Sequence, residues 1–433
     1  MPLSVLILAA GKGTRMNSNY PKVLHNVGNI PMIYYSIDLA QKLNATNIGV
    51  VISEKAVEIR NFIKRFPKKI DLIVQLKQLG TGHAILSAKK FEKKAGDVII
   101  LYGDCPLISI DSLNNLIIAR KKGADLAVLG FVADNPKQYG RMAVDENNNL
   151  KKIIEFKDAT KDEIGIKLCN SGVMIANSKI LFSLLNKIRN NNSAQEFYLT
   201  DIVYNANKEG LNVQYVNCSE LEAQGVNNRK DLSEVENQFQ VNKRLEALSN
   251  GVTLKDPSST YFSYDTEIGK DTIIEPNVTF GTGVKIKNDV VVKSFSYLEG
   301  CEVNSNVTLG PFARIRPKTI LDEGVKVGNF VEVKQSHLSQ NVKVNHLSYI
   351  GDGKIGENSN IGAGTIFCNY DGYSKNEITI SSDTFVGSNV SLVAPLKIGN
   401  NVVIGAGSTI TNDIKNNELS IGRTRQINKK RKK

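Results

Sequence analysis

From Gly251 onward an apolar anchor returns at every sixth position, a spacing that neither the roughly 3.6-residue turn of an α-helix nor the two-residue alternation of a strand produces. Ile268, Ile274, Phe280, Ile286, Val292 and Leu298 stand six apart, and after a slip of one residue Val303, Leu309, Ile315, Leu321, Val327 and Val333 continue. Leu338, Val344, Ile350, Ile355 and Ile361 follow after short slips, and beyond an insertion Ile380, Val386, Leu392, Ile398, Ile404 and Ile410 resume the period. With roughly 0.3 of residues being Ile, Leu, Val or Phe, six anchors in a row would arise in about one register in a thousand. The pattern therefore specifies a stacked β-helix in which each hexad turns one corner and points its anchor inward. Gly or Asn often follows the anchor, as a tight corner requires, and a small residue sits four places later at Thr272, Val278, Thr365, Thr384, Val390, Val402 and Ser408. The segment Phe367 to Thr379, with Asn369-Tyr370-Asp371-Gly372, interrupts the period and is expected to leave the coil as a surface loop.

The rest of the chain reads differently. At about 150 residues per domain, 433 residues imply two or three domains. Residues 1–228 alternate apolar runs, such as Val5-Leu6-Ile7-Leu8 and Asp97-Val98-Ile99-Ile100-Leu101, with helical stretches, the pattern of a parallel sheet between helices. Over 229–249 Gly and Pro vanish, Leu232, Val235, Phe239, Leu245 and Leu248 keep roughly helical spacing, and Asn250-Gly251 closes one linking helix. Residues 250–433 form the repeat domain.

Composition removes several classes of function. Hydrophobic residues at 41% and charged residues at 23%, with no run of about 18 apolar residues, exclude a helical membrane span. Met1 leads into the apolar segment Val5 to Ala10 without a basic stretch or a small-residue cleavage site, so a strand and a cytoplasmic protein are expected. Cys105, Cys169, Cys218, Cys301 and Cys368 show no CxxC pairing, and His25, His83, His337 and His346 are too scattered to suggest a multi-histidine metal centre. The net charge of +12 owes part of its value to the terminal run Lys429-Lys430-Arg431-Lys432-Lys433. With aromatics at 7% and no basic stripe carrying stacking rings, that run reads as a solvated tail and not as a nucleic-acid surface.

Two regions carry chemistry. Leu8-Ala9-Ala10-Gly11-Lys12-Gly13-Thr14-Arg15-Met16 follows a strand, is rich in glycine and brings cations close behind. It is neither a Walker A loop nor GxGxxG, and a tight turn alone would explain its glycines; Lys22, behind Pro21, adds the second cation that a polyphosphate needs. Asp104 follows the run Val98 to Leu101, which makes it either a ligand-facing carboxylate at the carboxyl edge of the sheet or the cap of the next helix. In the repeat domain Arg316, Lys334, His346, Tyr349, Asn360, Asn369 and Tyr370 fit no coil rule. Arg316 and Lys334 are eighteen apart, one triangular coil, so they stack on one face as a two-cation phosphate site or as solvated basic residues. His346, in Asn345-His346-Leu347-Ser348-Tyr349-Ile350-Gly351-Asp352, is a lone histidine, a type more often structural than catalytic.

With Pro21-Lys22, the motif Leu8 to Met16 resembles the signature of the sugar-1-phosphate nucleotidyltransferases. Gln75, Gly80-Thr81-Gly82-His83, Tyr102-Gly103-Asp104, Tyr139-Gly140-Arg141, Glu155, Asn170 and Gly225-Val226-Asn227-Asn228-Arg229 narrow the resemblance. They are similar to the motifs of the bifunctional N-acetylglucosamine-1-phosphate uridylyltransferase/glucosamine-1-phosphate N-acetyltransferase family, and the resemblance covers essentially the whole chain. It implies an α/β, Rossmann-like nucleotidyltransferase domain followed by a left-handed parallel β-helix of hexapeptide repeats. It also implies acetyl transfer from acetyl-CoA to glucosamine 1-phosphate, then uridylyl transfer from UTP to N-acetylglucosamine 1-phosphate with release of pyrophosphate. The product, UDP-N-acetylglucosamine, is a precursor of peptidoglycan and lipopolysaccharide. The family is a homotrimer whose acetyltransferase sites lie between neighbouring solenoids.

By the same resemblance Arg15 and Lys22 stabilise the transferred phosphoryl group and the departing pyrophosphate, while Asp104 and Asn227 hold Mg²⁺. Leu8, Ala9, Ala10, Gly11, Gln75, Gly80 and Thr81 match the uridine-binding set, and Tyr102, Gly140, Glu155 and Asn170 the sugar-binding set, with Gly103 a further substrate-binding residue of that half. Taken singly, Gly140 reads as a turn glycine and Glu155 as a solvated carboxylate. The nucleophile is already a phosphate anion, so alignment and charge neutralisation carry the step without a general base. In the repeat domain His346 is the implied general base for the glucosamine amine and the Ala363 N–H the oxyanion donor. Arg316 and Lys334 are the implied phosphate cations, Tyr349 and Asn360 the sugar contacts, and Asn369, Tyr370, Ser388, Ala406 and Arg423 the acetyl-CoA groove together with Ala363. Three features depart from the family: Gly422 where a serine precedes Arg423, Lys318 in place of a glycine, and a short tail. A uridylyltransferase with the solenoid as a trimerisation scaffold is the alternative, and the presence of His346, Arg316 and Lys334 speaks against it. Cys105, beside Asp104, is expected to be core packing.

Overall fold

The computed structural model describes residues 2–431, so Met1 and, from the basic terminal run, Lys432 and Lys433 lie outside the described residues. Packing divides the chain into two compact units, Met1–Phe239 and Gln240–Lys433, and the division falls inside the helix Arg229–Ser249. Val235 and Phe239 on that helix are buried, whereas Leu245 and Leu248 are exposed, so only the first part of its apolar stripe is covered.

In the first unit the sheet runs in the order Val213–Asn217, Leu126–Val132, Leu168–Asn177, Asp97–Tyr102, Leu3–Leu8, Asn47–Ser53, Asp71–Gln75. It is not wholly parallel. Leu168–Asn177 runs antiparallel to both neighbours and carries the hairpin Arg141–Val144/Leu150–Ile154 on its side. Continuous apolar runs report burial on both faces, which a central strand has whichever way it points, so direction does not show in the pattern. The four parallel strands Leu3–Leu8, Asn47–Ser53, Asp71–Gln75 and Asp97–Tyr102 end at one edge. Their carboxyl ends therefore set the loops after Leu8, Gln75 and Tyr102 side by side. The first strand stops at Leu8, beyond which the buried Ala9 donates its N–H to the Val51 carbonyl at 2.8 Å.

The second unit is a parallel β-helix of three sheets with ten, eight and eight short strands, each coil adding one strand to each sheet. Ile274 lies over Val292, Val292 over Leu309 and Leu309 over Val327, and all four are buried. The hexad anchors are thus stacked aliphatic layers. The left-handed corner residues stand three places beyond the anchors and not directly after them, as at Asn277, Asn306 and Asn358, and at Lys318 with φ 64°, which explains a glycine preference there. A glycine directly after an anchor, such as Gly362, instead lies where an added Cβ would come 2.5 Å from the Gly387 backbone of the next coil. One corner departs furthest from the Gly or Asn expectation, because the bulky apolar Phe295, Phe312, Phe330 and Leu347 occupy it with φ of 60°, 56°, 56° and 49°. The three rings stack at 5.0 and 5.1 Å in a solvent-exposed ladder.

The loop leaving the coil is narrower than Phe367 to Thr379. Phe367 is buried in the strand Ile366–Cys368, where it keeps the six-residue spacing from Ile361, and Thr379 lies in the strand Ile378–Ile380. Residues 369–377 form the excursion.

Candidate active sites

The loops after Leu8, Gln75 and Tyr102 surround a cavity of about 380 Å³ lined by Leu8, Ala9, Ala10, Gly11, Lys12, Lys22, Gln75, Gln78, Gly80, Thr81, Tyr102 and Asp104. Thr81, Tyr102 and Asp104 also line a second cavity of about 770 Å³, with Arg15, Gly140, Glu155, Asn170, Thr200 and Asn227. Gly103 is buried behind them, its N–H tying the loop to the Leu8 carbonyl at 2.9 Å. At Gly80 φ is 105° and an added Cβ would lie 2.7 Å from the Phe197 carbonyl oxygen, so the turn requires glycine.

The polar side chains of the site hold one another. The Lys22 ammonium pairs with the Asp104 carboxylate, and Arg15 Nη2 donates to Asn227 Oδ1 at 2.9 Å. The Val226 N–H donates to the Asp104 carbonyl at 2.9 Å and the Asn227 N–H to the Asp231 carboxylate at 2.9 Å, which fixes the two oxygen donors on neighbouring backbone. Asp104 is not a helix cap, because Ser109 caps the next helix, Ile110–Lys121. Cys105 is buried as packing, and burial, then the Asp104 charge, pushes its thiol well above the ordinary range. Among the described residues no group of three or more His, Cys, Asp or Glu gathers, so the protein offers the Asp104 and Asn227 oxygens. Such a sparse oxygen set fits a hard cation that keeps phosphate and water oxygens as its other ligands.

Glu155 is not a solvated carboxylate. It is half-buried by surface and lies deep among its neighbours, Thr200 Oγ1 donates to its Oε1 at 2.9 Å, and burial pushes its carboxyl up. Burial first, then the Glu155 charge, pushes the Tyr102 hydroxyl far up and keeps it a donor. The Asn170 N–H donates to the Gly140 carbonyl at 2.9 Å. Gly140, Glu155, Asn170 and Tyr102 thus converge on the second cavity with donors and acceptors suited to a polyhydroxylated ligand.

In the repeat unit Val327, Val344, Ile361, Val386 and Ile404 are in register on five successive coils. Two residues beyond each lie Asn329, His346, Ala363, Ser388 and Ala406, each just before a left-handed corner residue. They form one file with steps of roughly 4.8 Å. His346 Nδ1 lies 2.9 Å from Asn329 Oδ1. An amide oxygen only accepts, so Nδ1 carries the hydrogen and Nε2 is left as the basic nitrogen. The Ala363 carbonyl accepts from the Asn389 N–H at 2.7 Å, while no described residue accepts from the Ala363 N–H.

At the next corner Arg316 and Lys334 stack, with the Arg316 N–H on the Val333 carbonyl at 2.8 Å and Lys334 in register with Gly351. Arg316 Nη1 donates to Glu332 Oε1 at 2.7 Å. Lys375, reaching in from the excursion, and then burial pull the Lys334 ammonium below the usual lysine range. Tyr349 opens the strand Tyr349–Gly351 that joins the two corners, and Asn360 opens the strand one coil beyond Lys343–His346. Asn369 is buried with its amide on the Asp352 carboxylate, and Tyr370 is exposed with its hydroxyl on the Gly372 carbonyl at 2.6 Å. Arg423 lies outside both files, exposed beyond the last strand, Leu419–Ser420. At Gly422 an added Cβ would lie 2.4 Å from the Thr409 carbonyl oxygen, so this chain's backbone has no room for the family's serine.

Five neighbours of these sites escape a reading by motif: Gln78, which donates to the Ala10 carbonyl, Thr200 on Glu155, Glu332 on Arg316, Asn329 on His346, and Lys375. Asn329 alone had a usable signal, standing one coil of seventeen residues before His346.

Comparison with known proteins bears on both units. The model of the MobA-like NTP transferase domain matches residues 5–157, and that of the bacterial transferase hexapeptide (six repeats) matches 265–300 and 377–412. A bifunctional protein GlmU of Bartonella quintana (strain Toulouse) is 45% identical over 98% of this chain and 95% of its own. Those of Zymomonas mobilis subsp. mobilis (strain ATCC 31821 / ZM4 / CP4) and Wolbachia pipientis wMel are 43% and 46% identical, covering 99% and 98% of this chain and 96% and 98% of theirs. The chain belongs to the GlmU bifunctional protein family. As a GlmU-family chain it is an enzyme, a nucleotidyltransferase joined to a hexapeptide acyltransferase, and its repeat unit is a left-handed parallel β-helix.

Proposed function

We propose that the chain makes UDP-N-acetylglucosamine in two steps, acetylating glucosamine 1-phosphate in the repeat unit and uridylylating the product in the first unit. The observation that carries both halves is the presence in one GlmU-family chain of the Arg15–Asn227 and Lys22–Asp104 cradle and of the Asn329–His346–Ala363 file.

In acetyl transfer Arg316, Lys334 and Lys375 hold the sugar phosphate, with Tyr349 and Asn360 along the sugar. The glucosamine nitrogen attacks the thioester carbonyl of acetyl-CoA while His346 Nε2 takes its proton, and the Ala363 N–H donates to the developing oxyanion. The C–S bond breaks and the CoA thiolate leaves. Ser388 and Ala406, further along the same file, with Asn369, Tyr370 and Arg423, border the CoA.

In uridylyl transfer Gln75, Gly80 and Thr81 seat the base and Glu155, Asn170, Gly140 and Tyr102 the sugar. Lys22 and Arg15 exchange their present partners for phosphate oxygens. A phosphate oxygen of N-acetylglucosamine 1-phosphate attacks the α-phosphorus of UTP in line, and the bond to pyrophosphate breaks. Asp104 and Asn227 would hold Mg²⁺, which supplies charge neutralisation on the phosphates.

The exposed Phe295–Phe312–Phe330 ladder and the openness of a single solenoid face support self-association, as a trimer with shared acetyltransferase sites. UTP and acetyl-CoA as substrates support a cytoplasmic location, and no helix among the described residues is long and apolar enough to cross a membrane. The test is a single reaction containing glucosamine 1-phosphate, acetyl-CoA, UTP and Mg²⁺, with free thiol and UDP-sugar followed separately. His346→Ala abolishes thiol release and spares uridylylation of supplied N-acetylglucosamine 1-phosphate, and Asp104→Ala does the reverse. Either change silencing both activities in folded protein defeats the two-site reading.

A further inference from the structure

Gln75 closes the strand Asp71–Gln75, is 4% exposed and lines the first cavity. Its Nε2 lies 3.2 Å from the Gly80 carbonyl oxygen and 3.1 Å from His83 Nδ1. A carbonyl oxygen only accepts, so the amide nitrogen, and not the amide oxygen, must face Gly80. The second N–H then falls to His83, whose Nδ1 acts as the acceptor with the ring hydrogen on Nε2. Both amide donors are committed to the protein. Oε1, to which no described residue donates, is the hydrogen-bonding atom left for a ligand. His83 is itself held, by its place in the helix Thr81–Leu86 and by its ring against Phe197 at 6.3 Å.

We propose that His83 is a specificity-determining positioning residue: by accepting the second Gln75 N–H it locks the amide with its oxygen toward the nucleotide base. The inference rests on reading this cavity as the uridine site. Uracil carries a hydrogen at N3 and can donate to Oε1, whereas cytosine carries a lone pair at N3 that would face the Oε1 lone pairs. A site whose buried polar atom is left facing the wrong partner discriminates strongly between such analogues. Without the His83 acceptor only Gly80 opposes a half-turn of the terminal amide torsion, which is intrinsically broad and two-fold. The turned amide would offer an N–H to cytosine.

The experiment measures kcat/KM of the full chain for UTP and for CTP with N-acetylglucosamine 1-phosphate, in wild type, His83→Phe and His83→Asn. Phenylalanine keeps a ring against Phe197 and removes the acceptor, while the asparagine oxygen restores one at the Nδ1 position. The UTP/CTP ratio is expected to fall about tenfold in H83F, chiefly through KM for UTP with kcat within about threefold, and to return to within about threefold of wild type in H83N. An unchanged ratio in H83F, or H83N falling as far as H83F, overturns the role of His83. Should H83F melt early, His83→Gln, whose acceptor sits at the Nε2 position, carries the same expectation and the same refutation. A wild-type protein forming no nucleotide-sugar from either nucleotide overturns instead the uridylyl-transfer reading on which the inference depends.

Discussion

Asn329→Ala isolates the orientation of the acetyl-transfer base from the base itself. The substitution removes one hydrogen bond, the 2.9 Å link from His346 Nδ1 to Asn329 Oδ1, made across one coil at an exposed corner. A neutral hydrogen bond there contributes about 1 kcal/mol, or roughly fivefold in rate if it serves only to hold the ring in its reactive pose. The bond also keeps the hydrogen on Nδ1. Without it the ring is free to protonate Nε2 instead, which removes the lone pair that the amine proton needs, so the whole loss is placed at about five- to twentyfold in kcat. Thiol release from acetyl-CoA measures it, with uridylylation of supplied N-acetylglucosamine 1-phosphate as the internal control. KM for acetyl-CoA should move less than about twofold, because Asn329 stands on the far side of His346 from Ala363, Ser388 and Ala406. Asn329→Asp keeps an acceptor in place and should retain most of the rate at about pH 8. A kcat for N329A within about twofold of wild type, or an N329D variant that falls as far as N329A, refutes the argument that the acceptor fixes the base.

Three further outcomes follow from other parts of the molecule. Chelation with EDTA should abolish UDP-sugar formation while thiol release continues, since the oxygen donors Asp104 and Asn227 lie in the first unit alone; equal loss of both activities contradicts this. Asp201, in the first turn of the helix Asp201–Lys208, is pushed up to about 6 by burial and then by the Asp158 charge. The raised folded value makes the ionised carboxyl a penalty that is absent below about pH 4 and complete above about pH 6, so Asp201→Asn should gain about 1 kcal/mol at about pH 7.5, allowing for solvent screening, and nothing at about pH 4. Melting curves at the two pH values read this, and an equal gain at both sinks it. Phe367→Ala, at a side chain 1% exposed in the coil interior, should cost about 3–5 kcal/mol and lower the melting temperature of the repeat unit, and a shift of under about a degree would show that the coil relaxes into the space.

How much of this could be read from residues depends on what each pattern encodes. A hexad anchor specifies pitch and face together, so Ile274, Val292, Leu309 and Val327 could be stacked in register before any coordinates. The same arithmetic, applied backward from His346, leads to Asn329. Strand direction is different, since Leu168–Asn177 is buried along most of its length like the two strands beside it, and its antiparallel course follows only from the hairpin that feeds it. Phe295, Phe312 and Phe330 in left-handed corners run against local preference, and their stacking on one another from coil to coil is a tertiary compensation that no single hexad announces.

The first site shows the limit from another side. Its residue types could be named from the chemistry of a polyphosphate, but the partners they take in the free chain could not. The Lys22 ammonium, brought into the cleft, must be neutralised by something, because a partly buried charge without a partner is costly. Lys22, whose side chain is 14% exposed, takes Asp104, while the exposed Arg15 keeps its charge in water and donates to the neutral Asn227 amide. Those partners are the oxygens assigned to the metal, so cation and phosphate must arrive in a way that frees each pair as the other forms. Affinity for the nucleotide is then a difference between two satisfied arrangements and not the sum of new contacts. Such an exchange favours a site that is strongly selective for a ligand carrying both charges at once: phosphate alone leaves Asp104 without Lys22, and metal alone leaves Lys22 without its carboxylate.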